Sequence, residues 1–317
     1  MIQIFYNKNG QIELSENVET LKMINASDAL WLDLFSPTGD EKRSVEAFLH
    51  TTLQSRAQAE EIESSSRYYE DTRSVFINTS FLIPGPDDYN MESVSFIITD
   101  STLTSIRQVP LRSFTDIQRR LQFNASLYPS GLHILLGILE NRIDLDADMI
   151  ELMSKEIEQY SRRVSLGEDV NEEFLLDINQ LQENAMFVRE NVVDKQRLIS
   201  NILKSKLFPK NVNLKDDLSI ILQDIASLIN HTNFAFERLE YLQDTVVGII
   251  NLDQNRIMKI FTFISVLLMP ATLVASFYGM NVGLPLQDRP WAWIAITGLM
   301  LLILAVAWII FKKKKML

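Results

Sequence analysis

Between Lys259 and Asp288 the sequence carries no charged residue, yet four aliphatic hydroxyls, Thr262, Ser265, Thr272 and Ser276, recur along its first part. On a helix turning about 100° per residue, all four fall within one arc of about 120°. Met258 and Met269 share that arc, Asn255 stands at its start, and Phe261 and Gly279 at its border. The opposite arc holds Ile260, Phe263, Ile264, Leu267, Ala271, Val274 and Ala275. One face suits lipid or apolar partners and the other tolerates water. The stripe has two readings. Small polar residues mark helix packing inside membranes, or, in line over the full depth of a bilayer, they form the wall of a pore. A single pair of spans encloses nothing, so the pore reading requires several copies closed by cyclic symmetry.

Other chemistries are excluded or unsupported. The absence of cysteine removes disulfides, thiolate metal sites and cysteine nucleophiles together. His50, His133 and His231 lie far apart and belong to no ligand pattern, so they read as ordinary histidines. Asp144-Leu-Asp146-Ala-Asp148 starts like a calcium loop, but Met149 stands where the loop needs Gly and Lys155 where it needs Glu. It reads instead as a solvated helical face. No glycine-rich phosphate loop or nucleophile–base pairing is visible, so the chain does not read as an enzyme. Residues 1–254 hold 23 basic and 40 acidic residues, net −17, whereas residues 255–317 are +6. A strongly acidic body argues against nucleic acid as a partner.

The elements that must position the stripe follow from hydropathy. Residues 260–278 form a 19-residue apolar run and residues 291–311 a second of 21, each long enough to cross a bilayer. Nine residues, 282–290, join them into a hairpin. Arg256 and Lys259 precede the first run and Lys312 to Lys315 follow the second, so both termini are expected in the cytoplasm and the linker outside. The start, Met1-Ile-Gln-Ile-Phe-Tyr6, is not expected to be a signal peptide. Upstream, residues 213–279 lack proline except Pro270, where a modest kink is expected, and would span ~100 Å as one helix. Residues 111–208 carry apolar residues at helical spacing, broken near Tyr128-Pro-Ser-Gly131, Gly167 and Pro209. Residues 1–110 alternate strands (2–6, 11–14, 29–35, 73–83, 93–99, 102–109) with helices from Thr38 to about His50 and from roughly 55 to 65. That is a small α/β or α+β domain.

The first span ends in Tyr278-Gly279-Met280-Asn281, and here the sequence resembles the CorA family of divalent-cation channels, whose first membrane helix closes with Gly-Met-Asn. The likeness takes in Asn255-Arg-Ile-Met-Lys-Ile260, the run Met269-Pro-Ala-Thr through Asn281, the nine-residue loop, the second span and the terminal lysines. It implies an α+β cytoplasmic domain (1–110), a cytoplasmic helical layer (111–212), a long stalk helix (213–259) and two transmembrane helices (260–281 and 291–311). A basic tail (312–317) follows, and the assembly is a homopentamer in the cytoplasmic membrane. It implies uptake of Mg2+, with Co2+ and Ni2+ as lesser substrates. Gly279, Met280 and Asn281 would form the selectivity filter, and Asn255, Met258, Phe261, Met269, Thr272 and Ser276 would line the pore and its gate. Asn281 amides can hold hydrated Mg2+ through its waters without trapping it. Gly279 and Asn281 also suit an ordinary helix end.

In the family, divalent ions bound between cytoplasmic domains close the channel. The matching acidic pair is Glu60 and Glu61, with Asp224 as the expected partner on a neighbouring copy and Asp216, Asp217 and Ser227 as competitors. Mg2+ is thus expected both as substrate and as regulatory ligand. One departure stands out: the outer loop holds only Asp288, beside Arg289, where many family members are more acidic. Capture of cations at the mouth is correspondingly weak. The alternatives are a zinc-transporting branch of the same architecture, against which the intact tripeptide argues, and a membrane-anchored helical scaffold without transport.

Overall fold

The computed structural model describes residues 1–54, 67–85, 89–167, 170–208, 212–281, 283 and 289–313. They divide into two compact units, residues 1–243 and 244–317. The helix expected at residues 55–65 lies outside the described residues.

In the first unit, strands β1 (Ile2–Lys8), β2 (Gln11–Ser15), β3 (Ala29–Phe35), β4 (Tyr68–Glu70), β5 (Ser74–Pro84), β6 (Tyr89–Thr99) and β7 (Thr102–Arg107) form one sheet. Its order is β2-β1-β3-β7-β6-β5-β4. Every neighbouring pair is antiparallel except β3 with β7. Successive side chains of a strand face opposite ways, so the sheet builds two cores. Trp31 joins Phe5, Phe96 and Phe114 on the face that carries most helices. Leu32 and Leu34 join Ile2, Ile4, Val45 and Leu49 on the other. Helix α1 (Gly39–Leu49) covers that second face. It starts on a reciprocal cap in which Thr38 Oγ1 accepts from Glu41 N at 3.2 Å and Thr38 N donates to Glu41 Oε2 at 2.8 Å.

Beyond shifts of one or two residues at strand ends, such as β1 running to Lys8 and β7 stopping at Arg107, two strands differ from the sequence reading. β6 begins at Tyr89 rather than Ser93, because residues 89–92 pair with 81–84 of β5 despite their polar character. β4 was not expected at all; its three residues pair at the sheet edge beside β5, too short to show an alternating pattern.

The helices are α2 (Arg112–Phe123), α3 (Gly131–Leu166), α4 (Glu172–Lys204), α5 (Val212–Tyr278) and α6 (Ala292–Lys313). α3 starts where the chain passes hard against the β6–β7 turn. A Cβ on Gly131 would stand 2.3 Å from Leu103 N, so only glycine fits. Within the first unit α5 buries Leu218, Ile221, Ile225, Leu239 and Leu242 at helical spacing. It runs without interruption through Pro270.

The expected solvated face at Asp144, Asp146 and Asp148 is corrected at its centre. Asp144 and Asp148 are exposed, but Asp146 is 0% exposed. Its Oδ1 accepts from Arg142 Nε at 2.9 Å and its Oδ2 from Asn191 Nδ2 on α4 at 2.7 Å. Lys195 on α4 is likewise buried, donating from Nζ to the Ser80 carbonyl at 2.8 Å and to Asn191 Oδ1. Next to it, Asp194 accepts from Arg67 Nη1 at 2.6 Å and Thr79 Oγ1 at 2.7 Å. These polar groups were drawn inward because α4 supplies partners that satisfy them.

Candidate functional site

The second unit contains the C-terminal stretch of α5 and the whole of α6. Beyond residue 262 the partly covered positions of α5 are Phe263, Leu267, Pro270, Ala271, Val274 and Tyr278, and those of α6 are Ile296, Met300, Ile303, Leu304, Ala307 and Phe311. The rings of Phe263 and Phe311 meet edge to face, 5.2 Å between centroids at 84°. Because the helices are antiparallel with equal rise, that contact sets a register in which 267 lies level with 307, 271 with 303, 274 with 300 and 278 with 296. α6 therefore covers one stripe of α5, the arc without hydroxyls.

The opposite arc is open. Met258, Phe261 and Met269 are 63%, 64% and 66% exposed, and Asn255, Thr262, Ser265, Thr272 and Ser276 are exposed with them. Towards the end of α5 this face presents Met269, Thr272, Leu273, Ser276, Phe277 and Met280 as one open helical surface. The structure thus places Met269, Thr272, Ser276 and Met280 on one open stretch of this face, while Asn255, Met258 and Phe261 lie earlier on the same face. Leu273 and Phe277, absent from the sequence reading, border that stretch. Their apolar character hid them, since it matches any membrane-facing residue.

The hydroxyls on this face are partly committed. Thr262 Oγ1 donates to the Met258 carbonyl at 2.7 Å and Thr272 Oγ1 to the Leu268 carbonyl at 3.0 Å. Each threonine proton is used within the helix, so the oxygen's lone pairs face outward, as acceptors toward water or a hydrated cation. After Tyr278 the backbone tightens: Gly279 N donates to the Ala275 carbonyl at 3.0 Å and Met280 N to the Phe277 carbonyl at 3.4 Å. Gly279 does not take the left-handed conformation, which among described glycines belongs to Gly10 and Gly167. Its lack of a side chain matters for space, because a Cβ would stand 3.2 Å from the Ala275 oxygen. Asn281 follows directly and is exposed.

Comparison with known proteins bears on this arrangement. A family profile described as "CorA-like Mg2+ transporter protein" matches residues 26–313. The chain belongs to the CorA family. It is 32% identical over 325 residues to the magnesium transport protein CorA of Wolinella succinogenes, covering 100% of both chains. It is 31% identical over 322 residues to the protein of that name from Escherichia coli K12, again 100% of both. The complete structure of the CorA magnesium transporter from Methanocaldococcus jannaschii aligns with a TM-score of 0.79 at 17% identity, over 98% of this chain and 97% of that one. The fold is therefore the CorA fold: an α+β sheet domain, a long helix, and two helical stretches long and apolar enough to cross a membrane.

The second candidate site of this CorA-family chain is its acidic region. Glu60 and Glu61 lie outside the described residues. Asp224 is exposed on α5 and faces an acidic patch on α3. Burial, and then repulsion from Asp144, Asp217 and Asp224, raises the pKa of Glu140. Asp144, though exposed, is raised by partial desolvation from its neighbours and by Asp148 and Asp224, with Arg120 opposing. Among the described residues no three carboxylates or histidines converge on one metal position. The sequence reading missed Glu140 and Asp144 as electrostatic partners of Asp224. Their spacing of four with Asp148 was the available signal, for it places three acids on one face of α3.

Proposed function

We propose that this protein is a Mg2+ channel of the cytoplasmic membrane, with several copies arranging the open face of α5 around a central axis. The observation that carries the reading is the division of α5 into two faces. One is backed by α6; the other is uncovered, lined by hydroxyls and methionines, and ends at Gly279-Met280-Asn281. Membership of a family whose curated relatives are magnesium transport proteins supports the choice of ion.

A single copy also leaves residues 251–262 of α5 exposed on every side, Leu252, Ile257 and Met258 included. A helical stretch without tertiary cover is marginal in water, so other copies would supply the cover. Five copies, both termini in the cytoplasm and Co2+ and Ni2+ as further substrates complete the proposal. At the outer end, a ring of Asn281 amide oxygens holds Mg2+ through its hydration shell, strongly enough to select and weakly enough to release. Lower down, Met258 and Phe261 form an apolar ring that blocks ions by dewetting.

For regulation, internal Mg2+ would bind between neighbouring copies, with Glu60 and Glu61 of one facing Asp224 of the next. The raised pKa values of Glu140 and Asp144 support a demand for positive charge on this surface.

The test is Mg2+ entry into proteoliposomes of the purified chain carrying a trapped Mg2+-sensitive dye, with Zn2+ and Co2+ alongside and Asn281→Ala as the control. Saturable Mg2+ entry above Zn2+ entry, lost in Asn281→Ala while the oligomer stays intact, is the expected result. No flux from an intact oligomer with internal divalent ions chelated would favour a scaffold without transport.

A further inference from the structure

The aromatic contact between the two helices of the second unit stands at a telling height. Phe263 lies two residues after Phe261, and at about 100° per residue the two side chains leave α5 about 160° apart, almost back to back. Phe311 is in the last turns of α6, one residue before Lys312, whose Nζ sits 5.0 Å over the Trp308 ring. On the other side of this level, residues 251–262 are all exposed, without cover from the other described residues. Among the described residues, the Phe263–Phe311 pair is therefore the first contact that holds α5 in rotation after that bare stretch.

We infer that Phe263 and Phe311 are positioning residues: their edge-to-face contact fixes the rotation of α5 about its own axis at the level of Phe261, so that Phe261 and Met258 point away from α6. This rests on the reading of α5 as the pore helix only for its consequence, the aim of the apolar ring. The rotational claim itself concerns one hairpin. Leucine at either position would keep the apolar bulk but lose the ring edge, and alanine would lose both. A preference worth what aromatic pairs contribute changes by roughly two- to tenfold when one ring is removed.

The chain has no cysteine, so single thiols report without any background to remove. Cysteines are placed at Phe261 and, about 100° away on the helix, at Ile260, in the full-length oligomer reconstituted in liposomes with divalent ions chelated. The readout is the rate of reaction with a water-soluble cationic methanethiosulfonate, taken as the ratio of position 261 to position 260. A ratio well above one is expected with both phenylalanines present. Phe311→Ala and Phe263→Ala should each lower it roughly two- to tenfold, the double variant no further, and Phe311→Tyr should restore it. An unchanged ratio in Phe311→Ala, or equal rates at 260 and 261 in the parent, overturns the inference. If Phe311→Ala does not assemble, Phe311→Leu carries the same comparison, and there too an unchanged ratio refutes it. Mg2+ entry into liposomes of the unsubstituted chain separates the two claims: absent flux there, with the expected labelling pattern in the cysteine variants, rejects the channel and leaves the positioning contact standing.

Discussion

Replacing Lys195 by Met should alter the pH dependence of stability in a defined window. The Lys195 side chain is 0% exposed and lies 3.9 Å from Asp146 Oδ2. Its Nζ donates to Ser80 O at 2.8 Å and stands 5.2 Å from the Phe81 ring centroid. The charged groups around it are Arg142 and Asp146 on α3, Asp194 on α4 and Arg67 beside β4. Burial pulls its pKa from 10.5 down to about 8, with Asp146 resisting and Arg142 adding to the fall. The unfolded chain keeps this proton to higher pH than the folded one. Between about pH 8 and 10.5 the unfolded state thus binds more protons, and stability must rise with pH through that window. At about 1.4 kcal/mol per pH unit, the term amounts to about 3 kcal/mol. Methionine matches the length without the charge, so the variant lacks the term. It adds a pH-independent cost of about 1–3 kcal/mol for each acceptor, Ser80 O or Asn191 Oδ1, left unpaired. Urea unfolding of the detergent-solubilised full chain, followed by helical circular dichroism across this range, measures the difference between parent and variant. Other lysines and tyrosines titrate in both and cancel. The parent should gain about 3 kcal/mol on the variant from neutral pH to beyond pH 10.5. A difference that stays flat would refute the reasoning that Lys195 is held against its own desolvation.

Two further outcomes follow from the fold and the acidic patch. Glu140 has a raised pKa in the folded chain, so its contribution is favourable below the unfolded carboxylate range and is lost as pH rises through the folded value. Glu140→Gln should therefore raise the thermal midpoint at neutral pH and give no gain near pH 3, below the ordinary glutamate range, where the acid is protonated in both states; an equal gain at both pH values would show that the charge is not the cause. Gly131→Ala should be among the costliest single changes in the first unit, about 3 kcal/mol or more, since its Cβ would press on the backbone of Leu103 rather than on a movable side chain. A urea midpoint within error of the parent would contradict that packing.

What could be read in advance, and what could not, divides along a physical line. The α5 stripe was legible because a helix decides which of its own residues share a face, and Thr272 and Ser276 remain on one face whatever else packs nearby. Of the complementary arc, the cover of Phe263, Leu267, Ala271 and Val274 was legible for the same reason, whereas Ile260, Ile264 and Ala275 stay exposed because α6 covers a narrower stripe than the arc. Thr38 and Glu41 announced the start of α1 within four residues.

Asp146 was misread because periodicity states that Asp144, Asp146 and Asp148 lie on a helix but not what stands opposite each. The deciding partner, Asn191, is 45 residues away. An aspartate spaced two residues from other acids resembles a solvated face until a second helix supplies donors, and the sign of its contribution depends on those donors being complete. The membrane face and the buried cluster thus differ in where their information resides. The first is a property of one helix and survives any rearrangement of its neighbours, which is why family likeness at Gly279-Met280-Asn281 and the uncovered hydroxyl stripe point the same way independently. The second is a property of a packing interface, and it became visible only when α4 was placed against α3.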